Sequence, residues 1–300
     1  MNISLTQTPV TEVDADAVVV GLYEDESPSG PAAALDAATG GAVSRLIEAE
    51  EIKASKLSTA SILAPAGAKA AHALIVGLGK RDAVDRRLAF EAAGSAAKKL
   101  AGKSRKKVAF YLAEGWDAGL IEAAVAGAIV GSQGQDLYRK EKSLYPPDEI
   151  LWAGDDADAI SNGQTLGEGV NLARHLVNEP AAEIYPESFA QAASQMSDAC
   201  GLSIDIWDEA KLQAEKCGSL LGVARGSDRP PRLVIMRHSG GSDGAPTLAL
   251  VGKGVTFDSG GYSLKLGDNM LDMKCDMAGA AAVVGAMQTI ARLKLPVNVI

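Results

Sequence analysis

Short β-branched runs alternate with alanine-rich, helix-forming runs almost from the start of the chain, and no feature of the sequence limits its fold more. DAVVVGLY is followed by PAAALDAATGGAVSRLIEAE, then by ASILAPA and HALIVGLGK, then by LAFEAAGSAAKKLAG, KKVAFYLAE and GLIEAAVAGAIVGSQG. Apolar runs of four to six residues suit strands buried on both faces, and the longer alanine-rich runs suit helices that cover them. This alternation predicts an α/β layered domain with a largely parallel sheet.

The pattern breaks between 139 and 158, where RKEKSLYPPDEILWAGDDAD combines paired prolines, clustered charge and little helical period. Such a stretch reads as a domain boundary, so residues 1–150 and 151–300 are expected to form two α/β domains. The second opens with helices through GQTLGEGVNLARHLVN and PESFAQAASQM, the latter with proline near its first turn. A strand LSIDIW, a helix DEAKLQAEKCGSLLG, strands PRLVIMR and TLALVG, a helix MAGAAAVVGAMQTIARL and a strand-like LPVNVI follow. A last strand on LPVNVI would leave its sheet unfinished, and the chain is expected to be a fragment or a shortened form of something longer.

Bulk properties remove several functional classes. A formal charge of -9 lacks the electrostatic footprint of a nucleic-acid binder, and the basic run KSRKK at 103–107 is read as a solvated helix end. Three cysteines, Cys200, Cys217 and Cys275, match no zinc-ribbon or CxxC spacing and are compatible with a reducing compartment. MNISLTQTPV has neither a basic nor an apolar leader segment, and no apolar run approaches the roughly 18 residues of a membrane span. A cytoplasmic location without membrane attachment is expected. His72, His175 and His238 are scattered through the chain and are read as structural.

Chemistry concentrates in TLALVGKGVTFDSGGYSLKLGDNMLDMKCDMAGAAAVVGAM. Lys253 follows the strand TLALVG, Asp258 and Lys265 follow in the next loop, and Asp276 immediately precedes an alanine-rich helix. Loops at the carboxyl ends of strands form the ligand crevice of open α/β sheets, so these side chains are expected to converge. A buried Lys253 would need a partner for its amine. A divalent cation is one candidate, since carboxylate oxygens suit it and an amine deprotonated by its charge can join them. Two readings stay open at this level: Asp276 as a helix N-cap and Asp258 as a turn residue. GKG without a following Ser or Thr is not a phosphate-binding loop.

VGKGVTFDSGGYSLK followed by MLDMKCDMAGAAAVVG resembles the metal-binding region of the leucyl aminopeptidases, the cytosol aminopeptidase family of two-metal exopeptidases. ARHLVNEPAAEIYPESF and GVARGSDRPPRLVIMRHSG resemble further stretches of its catalytic domain, so the likeness spans about residues 170–300. The resemblance implies a macro-domain-like N-terminal α/β domain and an incomplete C-terminal α/β domain of the zinc-exopeptidase type. It implies that Lys253, Asp258 and Asp276 are metal ligands, Asp258 touching both ions, and that Lys265 is the catalytic lysine that polarises the scissile carbonyl. Met273 would line the pocket for the first substrate side chain, where an ordinary core methionine is the competing reading.

The implied reaction is release of N-terminal residues from peptides by a water bridging two divalent ions, manganese or zinc with magnesium also admissible. The family works as a homo-hexamer. Tyr262 and Leu266 depart from its pattern without removing a ligand. The family's NTDAEGR motif, source of two more carboxylates and of an arginine that holds a catalytic bicarbonate, does not occur up to Ile300, so this chain alone is expected to be inactive. The alternative reading is a non-catalytic binding or oligomer-assembly module built on the macro-like domain.

Overall fold

A computed structural model of the chain describes residues 1–112 and 115–300, which fold as two compact units, Met1–Gly167 and Glu168–Ile300. In chain order the first unit holds β1 (Asn2–Thr6), β2 (Ala17–Leu22), α1 (Gly30–Ala38), α2 (Ala42–Glu48), β3 (Thr59–Leu63), β4 (His72–Gly77), α3 (Arg86–Ala101), β5 (Lys107–Tyr111), α4 (Ala118–Ser132) and β6 (Glu149–Ala153). Helix α5 (Ala157–Asn178) contains the point of division. The proline-rich stretch ahead of β6 is a connection, and β6 itself still belongs to the first sheet.

That sheet runs β1-β6-β5-β2-β4-β3, parallel throughout except for the antiparallel edge strand β3. β2 reads AVVVGL and is buried almost end to end, as a central parallel strand covered on both faces must be. Val19, Leu74, Phe110 and Trp152 face one apolar core together with the alanines of α3 and α4; Val18, Val20 and Ile75 face the other with Leu35 and Val43 from α1 and α2. Phe110 and Trp152 stack at 5.3 Å between centroids. Asp85 and Asp117 start α3 and α4 by accepting the Leu88 and Leu120 amides at 2.7 and 2.9 Å. The two helices approach closely enough that a β-carbon on Gly127 would lie 2.1 Å from the Phe90 carbonyl oxygen.

The basic run at 103–107 is more than a solvated helix end. The Arg105 guanidinium folds back to donate to His72 Nδ1 at 3.1 Å, and the Asp16 carboxylate accepts the Lys106 and Lys107 amides. His72 lies 3.0 Å from Ser61 Oγ through Nε2, so a neutral ring accepting at Nδ1 and donating at Nε2 satisfies both neighbours. Burial, with the fields of Arg105, Lys99 and Lys103 behind it, holds this imidazole below its usual range.

In the second unit, α6 (Pro186–Cys200) leads to β7 (Ser203–Trp207), α7 (Glu209–Ala214), α8 (Gly218–Ala224), β8 (Leu233–Ser239) and β9 (Thr247–Leu248). α9 (Asp268–Leu271), a 3₁₀ turn (Asp272–Met277), α10 (Ala278–Arg292) and β10 (Asn298–Val299) complete it. Its sheet runs β7-β8-β10-β9, with only β9 and β10 parallel. The expected single helix through DEAKLQAEKCGSLLG is split into α7 and α8 at Lys216, which takes a left-handed φ of 56°. TLALVG is a shorter strand than its apolar run predicts. The core of this unit gathers Leu176, Phe189, Met196, Met236, Met277, Val284 and Met287. His175 lies 3.5 Å from Glu179 and His238 lies 2.9 Å from the Leu295 carbonyl oxygen. Among the described residues no helix is long and apolar enough to cross a membrane.

Gly127→Ala is expected to lower stability by about 1–3 kcal/mol through overpacking, although alanine is the better helix former. Gly222→Ala, where a β-carbon meets nothing within 4 Å, is expected to be neutral or stabilising by up to about 1 kcal/mol; equal melting shifts in the two variants would refute the packing argument. His72 adds a pH dependence. Because its folded-state pKa is lowered, the unfolded chain takes up the proton first, so stability holds above the unfolded value near 6.5 and declines as pH falls below it. Urea midpoints at pH 7.5 and 5.5 are expected to lie closer together in His72→Gln than in the parent chain.

Candidate functional site

The extended chain at β9 runs on beyond its two paired residues: the Leu250 amide donates to the Ile300 carbonyl at 2.8 Å and the Ile300 amide to the Leu248 carbonyl at 2.9 Å. Gly252, Lys253 and Gly254 then pass directly over the start of α10. A β-carbon on Gly252 would sit 2.5 Å from the Gly279 carbonyl oxygen and 2.6 Å from Ala280 Cα, and one on Gly279 would sit 3.0 Å from the Lys253 nitrogen. Glycine is required at 252 for this approach, and at 279 a β-carbon would crowd the Lys253 backbone. The Ala280 amide seals it by donating to the Lys253 carbonyl at 2.9 Å.

This contact places Lys253 against Asp276. Lys253 Nζ donates to Asp276 Oδ2 at 2.5 Å, with the lysine side chain 57% exposed and the aspartate 21% exposed. The expectation that Lys253 is buried is therefore corrected: its backbone is held tightly against α10 while its side chain lies along the surface. Of the two readings of Asp276, the cap is not realised. Asp276 lies inside the 3₁₀ turn, Met277 occupies the N-cap position of α10, and the Asp276 carboxylate is engaged by Lys253.

Asp258 is a turn residue and an ion-pair partner at once. Its Oδ1 accepts the Gly260 amide at 2.9 Å, and its Oδ2 lies 2.6 Å from Lys265 Nζ, which also donates to the Asp258 carbonyl at 3.1 Å. Gly260 reverses the chain at a φ of 89°, so that Lys265 returns over Asp258 and its amide donates to the Ser259 carbonyl. The Lys265 ammonium holds the Asp258 carboxyl below the usual range, helped by the Gly260 amide and, at longer reach, by Lys253. Met273 is half-buried on the turn that carries Asp276. Lys274 anchors that turn by donating to the Asn178 carbonyl at the end of α5, at 2.7 Å. Sequence reading did not single out Lys274 or the glycine contact; GKG facing MAGAAA was the available signal for the latter.

Two carboxylates and an amine next to them suit a divalent cation in donor chemistry, and the lysines already meet each aspartate's demand for positive charge. The set is partial. Among the described residues, no three His, Cys, Asp or Glu side chains gather as a metal site by themselves.

A two-unit α/β protein with paired lysines and aspartates where a strand's loop meets a helix start is the class these observations define. Family models sharpen it: the cytosol aminopeptidase catalytic domain matches residues 171–300, and that family's N-terminal domain matches residues 19–142. The chain belongs to the cytosol aminopeptidase family. It is 49% identical over 227 residues to a probable cytosol aminopeptidase of Rhodopirellula baltica, covering 76% of this chain and 45% of the relative. It is 37% identical over 315 residues to one of Syntrophotalea carbinolica, covering 100% and 63%. Among solved structures, the bottromycin maturation enzyme BotP in complex with Mn superposes with a TM-score of 0.79 at 31% identity, over 95% of this chain and 58% of that one. A mutant of tomato leucine aminopeptidase shares the fold, with a TM-score of 0.83 at 24% identity over 100% and 61%. The chain thus spans less than two thirds of the length of each of these relatives.

Gly252→Ala is expected to push the loop off α10 and break the Ala280–Lys253 hydrogen bond. Amide exchange at Ala280 should then accelerate about tenfold or more, as for the loss of roughly 1.4 kcal/mol of local stability. Unchanged exchange would mean that the loop does not depend on this contact.

Proposed function

We propose that the chain forms part of a two-metal-dependent aminopeptidase that releases N-terminal residues, leucine and similar ones, from peptides. The observation that carries this reading is the paired geometry of Asp258 and Asp276, each held by a lysine ammonium at 2.6 or 2.5 Å, in a chain of the cytosol aminopeptidase family. Lys253, Asp258 and Asp276 would hold divalent ions, manganese or zinc, with Asp258 shared between them. Carboxylate chemistry supports this, as does BotP, a relative described in complex with Mn. Bound there, such ions supply Lewis acidity and a water acidified toward neutral pH.

The chain's own residues do the rest. Lys253 must give up a proton to become a donor, and its exposed side chain lets that proton pass to solvent. Lys265, now paired with Asp258, becomes available to a substrate carbonyl once that carboxylate is otherwise engaged, and its fixed charge then stabilises a developing oxyanion. Met273 offers an apolar wall on the Asp276 turn. Three protein donors do not complete two coordination shells, so further donors would be needed, and a bicarbonate, if one takes part, would be taken up from solution. Peptide substrates, assembly as a homo-hexamer and a cytoplasmic setting belong to the same proposal on family resemblance, and the net charge supports the absence of a nucleic-acid partner.

Joined to the remaining C-terminal part of the Syntrophotalea carbinolica relative, the chain is expected to hydrolyse leucine p-nitroanilide with added manganese or zinc. Lys265→Ala in that protein should lower kcat by about 10²–10³-fold with little change in KM. The 300-residue chain by itself is expected to be silent and to bind manganese weakly, more weakly still as Asp258→Asn, by calorimetry. A joined protein that folds and binds manganese but cleaves no aminoacyl substrate would sink the reading. Equal activity in the short chain would overturn the argument from missing donors.

A further inference from the structure

A 3₁₀ helix repeats roughly every three residues, so positions three apart lie one above the other along a common edge. In the turn Asp272–Met277 this pairs Asp272 with Cys275, Met273 with Asp276, and Lys274 with Met277. Exposure follows the edges. Asp272 and Cys275 face solvent, Met273 and Asp276 are half-buried, and Met277 is buried in the core together with Leu176 of α5. Lys274, on the Met277 edge, is half-buried and reaches the end of the same helix.

Helix chemistry supplies its partner. The last carbonyls of an α-helix lack partners within it and stand at the negative end of its dipole. At the end of α5 the His175 carbonyl accepts the Glu179 amide at 3.2 Å, and the Asn178 carbonyl accepts the Lys274 ammonium at 2.7 Å. That bond spans 96 positions of sequence, so it ties the turn to a long helix rather than to its own loop. Met277 in the core and Lys274 on α5 hold the turn at two points of one edge. Two points along an edge fix rotation about the turn's axis, and rotation decides where the Met273–Asp276 edge faces.

The Lys253–Asp276 pair cannot supply this control. It is partly exposed and screened by solvent, and under the aminopeptidase reading it opens when a cation takes the Asp276 carboxylate. The Lys274–Asn178 bond uses neither of those groups and persists through the exchange. We propose that Lys274 is a positioning residue: held on the α5 terminus, its ammonium sets the rotation of the 3₁₀ turn and so aims Asp276, with Met273 beside it. What Asp276 is aimed at rests on the aminopeptidase reading; how it is aimed does not.

Lys274→Met keeps the aliphatic stem and removes the donor, Lys274→Arg keeps a charged donor, and Cys275→Ser alters the outward edge of the same turn. In the 300-residue chain without metal, amide exchange at Asp276 and Met277 is expected to accelerate about tenfold or more in Lys274→Met and to stay near the parent rate in the other two variants. In the protein joined to the C-terminal part of the relative, calorimetry with manganese alone should show Lys274→Met binding about tenfold more weakly, with Lys274→Arg within about threefold of the parent. Parent exchange rates in Lys274→Met, a loss that Lys274→Arg does not restore, or unchanged manganese affinity beside accelerated exchange each overturns the proposal. If the joined parent takes up no manganese, the aminopeptidase reading fails by itself, and the exchange rates alone then decide for or against Lys274.

Discussion

Backbone brought against backbone at glycine is the constraint on which the rest of this structure depends. α3 and α4 meet where the Phe90 carbonyl lies over Gly127. In the second unit α5 and α10 meet where a β-carbon on Gly285 would come within 2.4 Å of the Gly169 carbonyl oxygen, and the lysine loop meets α10 at Gly252 and Gly279. Alanine-rich helices have little side-chain bulk with which to interlock. They gain dispersion by shortening the distance between axes, and every such approach is lost if one methyl group is added. The same small residues that make the helices read as helices therefore also set how tightly the layers close.

The candidate site inherits its geometry from one of these contacts rather than from its charges. Lys253–Asp276 and Lys265–Asp258 are partly exposed pairs, and solvent screening leaves such pairs little influence on stability. What they require is prior placement. The Gly252–Gly279 contact and the Ala280–Lys253 bond bring one lysine to its aspartate, and the Gly260 reversal brings the other. The ion pairs are then a consequence of backbone shape, and the depressed Asp258 carboxyl is a consequence of the ion pair. The order of causes runs from glycine to loop to charge.

Much of this was legible in the residues alone. AVVVGL and HALIVG announce central parallel strands because only a doubly covered strand tolerates apolar residues on both faces, and the family likeness of the 253–276 stretch holds. Legibility fell where a local signal competed with a tertiary one. TLALVG has the composition of a long buried strand, and its regular pairing covers Thr247 and Leu248 beside β10, with the Leu250 amide bonded to Ile300 beyond them. Asp276 has a capping residue's chemistry at a capping residue's spacing, but the preceding turn tightens to 3₁₀ and shifts the cap to Met277. Arg105 lies in a run that composition assigns to solvent, and it is drawn inward by an unprotonated imidazole far away in sequence. Pairing partners at long range are not encoded in any window of sequence.

Gly252 joins the two halves of the second unit's problem. Its α-carbon rests on Gly279, which fixes Lys253 over Asp276, while its other side lines an apolar slot beside β8. The Gly279 contact and the Ala280–Lys253 hydrogen bond together set where the lysine backbone lies. A surface ion pair with little energy of its own therefore occupies a defined place because its precision derives from hydrogen bonds and packing one residue away.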